Sequence, residues 1–216
     1  MDINHEFKLV MFDMDGTLLD GRSIVFFANK IGFREELRQI LQSDIEPYKK
    51  SIKIATFLKG STISELLEIF RTIPLQQNAQ EIGKKLKEKN IVTAIVTDSY
   101  QFIVDDLKKR LNFDYAFANN LITEKNIVTG ELILHNNTLK RCNDGRIYSI
   151  CKGHALKQLC KKLEIKPEDA IAIGDGIVDI NMLSIAGLGI AYKALEKVQK
   201  CADIVTNDLS VILKYV

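Results

Sequence analysis

The first clear feature of the chain is an unbroken apolar run, Leu9-Val10-Met11-Phe12, stopped by Asp13-Met14-Asp15-Gly16-Thr17. A short run without alternation predicts a strand buried on both faces that enters a turn, leaving two acids at its carboxyl end. From about Arg22 to Ile73 the apolar positions recur at helical spacing, with breaks near Gly32, from Ser43 to Pro47 and at Gly60-Ser61. That stretch predicts an insertion of three or four helices. A helix over residues 79–89 then leads to Ile91-Val92-Thr93-Ala94-Ile95-Val96-Thr97, whose β-branched residues mark a second buried strand. Residues 102–111 read as a helix, residues 115–117 as a short strand, and residues 119–145 as an irregular hairpin excursion on the surface. A helix over residues 153–163, a strand over 170–174, a turn at Asp175-Gly176 and a helix over 179–186 follow, and Gly189-Ile190-Ala191 and Ile204-Val205 supply the last strands.

Alternating strands and helices of this kind predict an α/β fold, a doubly wound parallel sheet of Rossmann-like type with an inserted helical cap. Residues 1–20 and 75–216 would form the core, and residues 21–74 the cap. Sheets of this class bind ligands beyond the carboxyl ends of their strands, where Asp13, Asp15, Thr97 and Asp175 all fall.

Composition changes this picture little. A length of 216 residues suits one substantial domain with a smaller insertion, and 46% hydrophobic with 27% charged residues excludes collagen, coiled coil and disordered tail. Thirty basic against 28 acidic residues give +2, too balanced to call for nucleic acid or an anionic membrane as partner. The N-terminal Met1-Asp2-Ile3-Asn4-His5-Glu6 is acidic where a signal peptide would be basic, so the expected location is cytoplasmic. Cys142, Cys151, Cys160 and Cys201 are expected to be free thiols.

The chemistry lies in Asp13, Asp15, Asp175 and Asp179, with the Thr97 hydroxyl and Lys152 at the start of a helix. Crowded carboxylates repel unless a hard cation neutralises them, and a few oxygen ligands completed by water and phosphate suit Mg2+. Taken alone, an Asp-x-Asp after a strand is equally at home in a turn or helix cap. Together, Phe12-Asp13-Met14-Asp15-Gly16-Thr17-Leu18, Ile95-Val96-Thr97, Lys152 and Gly174-Asp175-Gly176-Ile177-Val178-Asp179 resemble, in order, the four motifs of the haloacid dehalogenase superfamily. The likeness is greatest to its phosphoserine phosphatase-like branch, and extends through Phe113-Asp114-Tyr115-Ala116-Phe117-Ala118-Asn119 and Ala202-Asp203-Ile204.

The resemblance implies a magnesium-dependent phosphatase working on a small phosphate ester. Asp13 would be the nucleophile and Asp15 the acid and base, with Thr97 and Lys152 on the phosphate and Asp98 beside them. Asp13, Asp175 and the Asp15 carbonyl would hold the metal. Asp179 would be a secondary ligand or the partner that orients Lys152. A phosphotransferase using the same aspartyl-phosphate, or a metabolite-binding protein with little turnover, would carry the same motifs.

Some positions depart from the family pattern. Arg22 stands where phosphoserine phosphatases have an acid for the substrate ammonium, and Ile54 falls near the place of their carboxylate-binding arginine. Residues 21–75 carry nine basic and six acidic side chains, a net of +3, which favours an anionic ester or is simply a solvated surface. Val178 replaces an Asn, and Asp98 a Gly, its carboxylate pointing either to solvent or into the phosphate site. His135, Cys142, Cys151 and His154 flank Lys152 with ligand types that zinc accepts, although their spacing fits no standard zinc motif; a disulfide or plain packing is the alternative.

Overall fold

A computed structural model describes residues 6–216, so the acidic stretch over residues 1–5 lies outside the described residues. Seven strands form one sheet in the order β4-β3-β2-β1-β5-β6-β7. They are β1 (Leu9–Phe12), β2 (Val92–Tyr100), β3 (Tyr115–Glu124), β4 (Ile127–Ile133), β5 (Ala170–Gly174), β6 (Leu188–Tyr192) and β7 (Ile204–Thr206). All neighbouring pairs are parallel except β3 with β4. Helices α1 (Ser23–Ile31), α2 (Arg34–Gln42), α3 (Pro47–Thr56) and α4 (Ile63–Arg71) fill the predicted insertion. Then come α5 (Ala79–Glu88), α6 (Gln101–Leu111), α7 (Lys152–Lys162), α8 (Ile180–Leu183) and α9 (Glu196–Gln199).

The apolar run of β1 is continuous because both of its faces are covered. Val10 and Phe12 belong to a core shared with α1, α4, α5 and α6, whereas Leu9 and Met11 pack with Leu156 and Leu159 of α7 on the other side. Side chains alternate along a strand, so Asp13 continues the parity of Leu9 and Met11, toward the face that α7 covers. The Asp13 N–H extends the ladder one step, donating to the Ile173 carbonyl at 2.9 Å. Strands β2 and β3 lie on one side of β1, and β5, β6 and β7 on the other. The order therefore reverses between β1 and β5, which opens the crevice where this class of sheet places its ligands.

Two elements differ from expectation. The short strand at 115–117 is a strand of ten residues, and the surface excursion is its antiparallel hairpin with β4. The turn between them places Lys125 and Asn126 at φ 49° and 68°, the left-handed pair of a tight hairpin, made without glycine. Beyond β4, the segment that links α3 to α4 is stitched to the strand. Gly60 N–H donates to Val128 O and Val128 N–H to Ser61 O, both at 2.9 Å, and Ile63 N–H to Asn126 O at 3.2 Å. Among the described residues no helix is long and apolar enough to cross a membrane.

Close approach of α5 to the sheet depends on Gly83. A Cβ there would lie 2.7 Å from the Leu111 carbonyl oxygen and 2.8 Å from the Phe113 ring. Phe113 packs on Phe12 with ring centroids 5.3 Å apart, so the contact supports the strand that presents Asp13. Alanine has the better helix propensity by about 1 kcal/mol, but overpacking against backbone costs roughly 1–3 kcal/mol. Gly83→Ala is therefore expected to lower stability, seen as a reduced midpoint in urea denaturation.

Candidate active site

Asp13 and Asp175 stand just past the carboxyl ends of the adjacent strands β1 and β5. The tight turn after β5 brings Asp179 back, its Oδ2 accepting the N–H groups of Asp175 at 3.1 Å and Gly176 at 2.8 Å. Carboxylate oxygens of Asp13, Asp175 and Asp179 lie within 4.8 Å of one another. The Lys152 ammonium, the first residue of α7 and almost fully buried, bridges them through Asp13 Oδ1 and through Asp179 Oδ1 at 2.5 Å.

Burial alone would favour the neutral amine, but Asp13 and Asp179 outweigh it and hold Lys152 above the ordinary lysine range. Burial raises Asp13 well above a usual carboxylate; Lys152 opposes the rise, while Asp179 and Asp175 add to it. Asp175 is raised for the same reasons, burial first and then Asp179, with Lys152 and Arg22 pulling the other way. Three carboxylates face one ammonium, a deficit of positive charge that a divalent cation would fill. All the donors are hard oxygens, as Mg2+ requires. Room for close approach comes from Gly16, whose φ is 93° and whose missing Cβ would sit 2.5 Å from Asp175 Oδ2.

Asp15 is not in that cluster. Its carboxylate takes the Ser23 N–H on Oδ1 and the Ser23 hydroxyl on Oδ2, both at 2.8 Å. Burial pushes it up to about 6 despite these two bonds. Thr97, expected at a strand end, lies inside β2, which runs on to Tyr100; it is fully buried, its Oγ1 accepting the Ser99 N–H at 3.2 Å and leaving its own proton free. Asp98 is exposed and lines the same cleft as the acids, so its carboxylate meets both solvent and the site.

That cleft has a volume of about 590 Å³, with Asp13, Asp15 and Asp175 on its wall. Arg22 and Ile54, predicted as departures, both line it. Val178 lines it too, and packs from behind against Cys142, Tyr148 and Cys151.

The expectation of four free thiols fails for one pair. Cys142 and Cys151 form a disulfide with Cα atoms 6.1 Å apart, and Cys160 and Cys201 are free. Asn136 closes the loop that brings the pair together, its side chain donating to Lys140 O and Tyr148 O at 2.8 and 3.0 Å. His135, Cys151 and His154 border a separate cavity of about 270 Å³, but among the described residues only the aspartates gather as metal ligands.

Sequence reasoning missed Ser23, Ser99, Gln76 and Asn119. Asn119 was placed at the start of the excursion, yet it lies inside β3, fully buried, and its amide holds Asp98 O at 2.7 Å and Ser149 Oγ at 3.0 Å. Gln76 binds Tyr192 and Lys193 through Oε1 and reaches the Gly16 carbonyl with its amide. Single polar residues of these types carry no spacing signal.

Residues 10–184 match the haloacid dehalogenase-like hydrolase family. The chain belongs to that family. Within the haloacid dehalogenase-like hydrolases it is 33% identical over 216 residues to a phosphoserine phosphatase of Methanocaldococcus jannaschii, covering 97% of each chain. The phosphoserine phosphatase of Campylobacter jejuni subsp. doylei is 31% identical, over 97% of this chain and 99% of that one. A solved structure of a phospho-aspartyl intermediate analogue of phosphoserine phosphatase superposes with TM-score 0.81 at 31% identity, covering 98% of this chain and 99% of the other. A haloacid dehalogenase family hydrolase from Salmonella enterica serovar Typhi gives TM-score 0.87 at 25% identity, over 98% of this chain and 72% of that one. These likenesses bear out the expected family, its phosphoserine phosphatase-like branch and an enzyme of phosphatase type.

Removal of one member of a buried ion pair strands the other charge, at a cost of about 3 kcal/mol or more. Lys152→Met in metal-free buffer is expected to lose that much at neutral pH. Folded carboxylates with raised pKa values favour the fold when protonated, so stability falls as pH rises through those values. The deficit should thus be small near pH 4, about the unfolded carboxylate pKa, and grow toward pH 7, as chemical denaturation at several pH values would show.

Proposed function

We propose that this protein is a magnesium-dependent phosphomonoester hydrolase that works through an aspartyl-phosphate on Asp13 and acts on a small phosphorylated metabolite. The observation that carries the proposal is the separation of two acids on one loop. Asp13 is held by the Lys152 ammonium among the carboxylates, whereas Asp15 is held by Ser23 away from them.

Asp13 Oδ attacks phosphorus as the bond to the ester oxygen breaks, and the alcohol leaves with the proton of Asp15. Water then attacks the aspartyl-phosphate, losing a proton to the Asp15 carboxylate, and the departing Asp13 carboxylate and inorganic phosphate complete the cycle. A carboxyl raised to about 6 by burial is suited to carrying that proton near neutrality. Lys152 neutralises charge on Asp13 and on the transferring group, and the free Thr97 proton donates to a phosphoryl oxygen. Asp13, Asp175 and the Asp15 carbonyl would hold Mg2+. The bound ion would supply charge neutralisation for the phosphoryl oxygens. Asp179 has its oxygens occupied by Lys152 and two N–H groups, which favours the role of orienting Lys152 over that of ligand.

Residues 21–74 would act as the cap that excludes water and selects the ester. The relatives are named for phosphoserine, whose ammonium an arginine repels. Arg22 on the cleft wall favours an ester whose non-reacting end is anionic. Phosphate release should be measured over phosphoserine, sugar phosphates, phosphoglycolate and nucleotides, with Mg2+ or EDTA. Release that needs Mg2+, disappears in Asp13→Asn and favours an ester other than phosphoserine is expected. No release from any ester would overturn the reading in favour of binding or phosphotransfer.

A further inference from the structure

One residue grips both oxygens of Asp15. Ser23 is fully buried at the start of α1, and its Oγ also lies 3.0 Å from Ser99 Oγ. Ser99 is itself fixed, its N–H on Thr97 Oγ1 at 3.2 Å and its carbonyl on the Asn119 amide at 3.3 Å. The Ser23 N–H holds Oδ1 of Asp15 and the Ser23 hydroxyl holds Oδ2, so the carboxyl cannot rotate while both bonds stand. A hydroxyl both donates and accepts. Ser23 Oγ can therefore donate to Oδ2 while it accepts from Ser99 Oγ, which fixes its own rotor.

We propose that Ser23 is a positioning residue for the acid–base step, holding the Asp15 carboxyl in a single rotation, with Ser99 holding the Ser23 hydroxyl in turn. The proposal rests on the reading of Asp15 as acid and base. As the ester bond breaks, its electron pair stays on the leaving oxygen and takes the Asp15 proton, and the two Ser23 bonds keep the carboxylate left behind in the same orientation. In hydrolysis the water proton returns to the same carboxyl. Because Ser23 belongs to α1 and Asp15 to the loop after β1, docking of the helical insert sets the geometry of the acid.

Leaving groups discriminate positioning from mere support. p-Nitrophenol departs without a proton, whereas phenol, with a pKa of about 10 like tyrosine, benefits from one. The ratio of kcat/KM for phenyl phosphate to that for p-nitrophenyl phosphate, read on one preparation, cancels any loss of folded protein. Ser23→Ala is expected to lower the ratio roughly tenfold, a fraction of what general acid catalysis supplies, and Ser23→Thr, which keeps the hydroxyl, to hold it near wild type. Asp15→Asn should lower it further. A ratio unchanged in Ser23→Ala but lowered in Asp15→Asn would overturn the role of Ser23 alone; a ratio unchanged in both would overturn the acid role of Asp15 and this proposal with it.

Discussion

The buried Lys152 ammonium between Asp13 and Asp179 is the interaction on which the site depends. An ammonium in the interior is tolerated only when paired, and here its partners are carboxylates that are equally intolerable alone. The end of β1, the turn after β5 and the start of α7 each contribute one charge of a set that none of them can support separately. The short turn after β5 exists in this form because Asp179 uses one oxygen to tie its own turn and the other to receive Lys152. The helix α7 is anchored at its first residue by the same contact. Sheet, turn and helix are thus locked by electrostatics at the point where the strand order reverses.

Asp13 and Asp15 are two residues apart and meet opposite surroundings. One faces a cluster of like charges relieved by a cation; the other faces a serine that offers an N–H and a hydroxyl. Identical side chains acquire different roles because one is surrounded by charge and the other by dipoles. The cleft adds a third environment, with Arg22 and Asp98 both on its wall.

Much of this was legible in the sequence where a physical rule has a strong signature. The apolar run of β1 reads as a doubly covered strand, which puts the Asp-x-Asp after it at a carboxyl end. The parts that were missed lack such a signature. A hairpin turn of Lys125-Asn126 carries no glycine to announce it, so β3 was read as three residues and β4 only as part of an irregular hairpin excursion. Ser23 is one serine after an arginine at a helix start, and its grip on Asp15 is a tertiary fact. The pairing of Cys142 with Cys151 depends on the loop that Asn136 closes, which no cysteine spacing reveals.

The stitching of the α3–α4 connection to β4 has a consequence beyond the site. An open sheet edge offers unpaired N–H and carbonyl groups on which another chain can assemble. Gly60, Ser61 and Ile63 occupy those groups over Asn126 and Val128, at the start of β4, and leave residues 129–133 without such bonds to the insert. At the other side of the sheet β7 is three residues long, too short to template much pairing. The same insert that stands beside the cleft thereby shields the molecule from edge-to-edge aggregation, so loosening it would threaten solubility as well as catalysis.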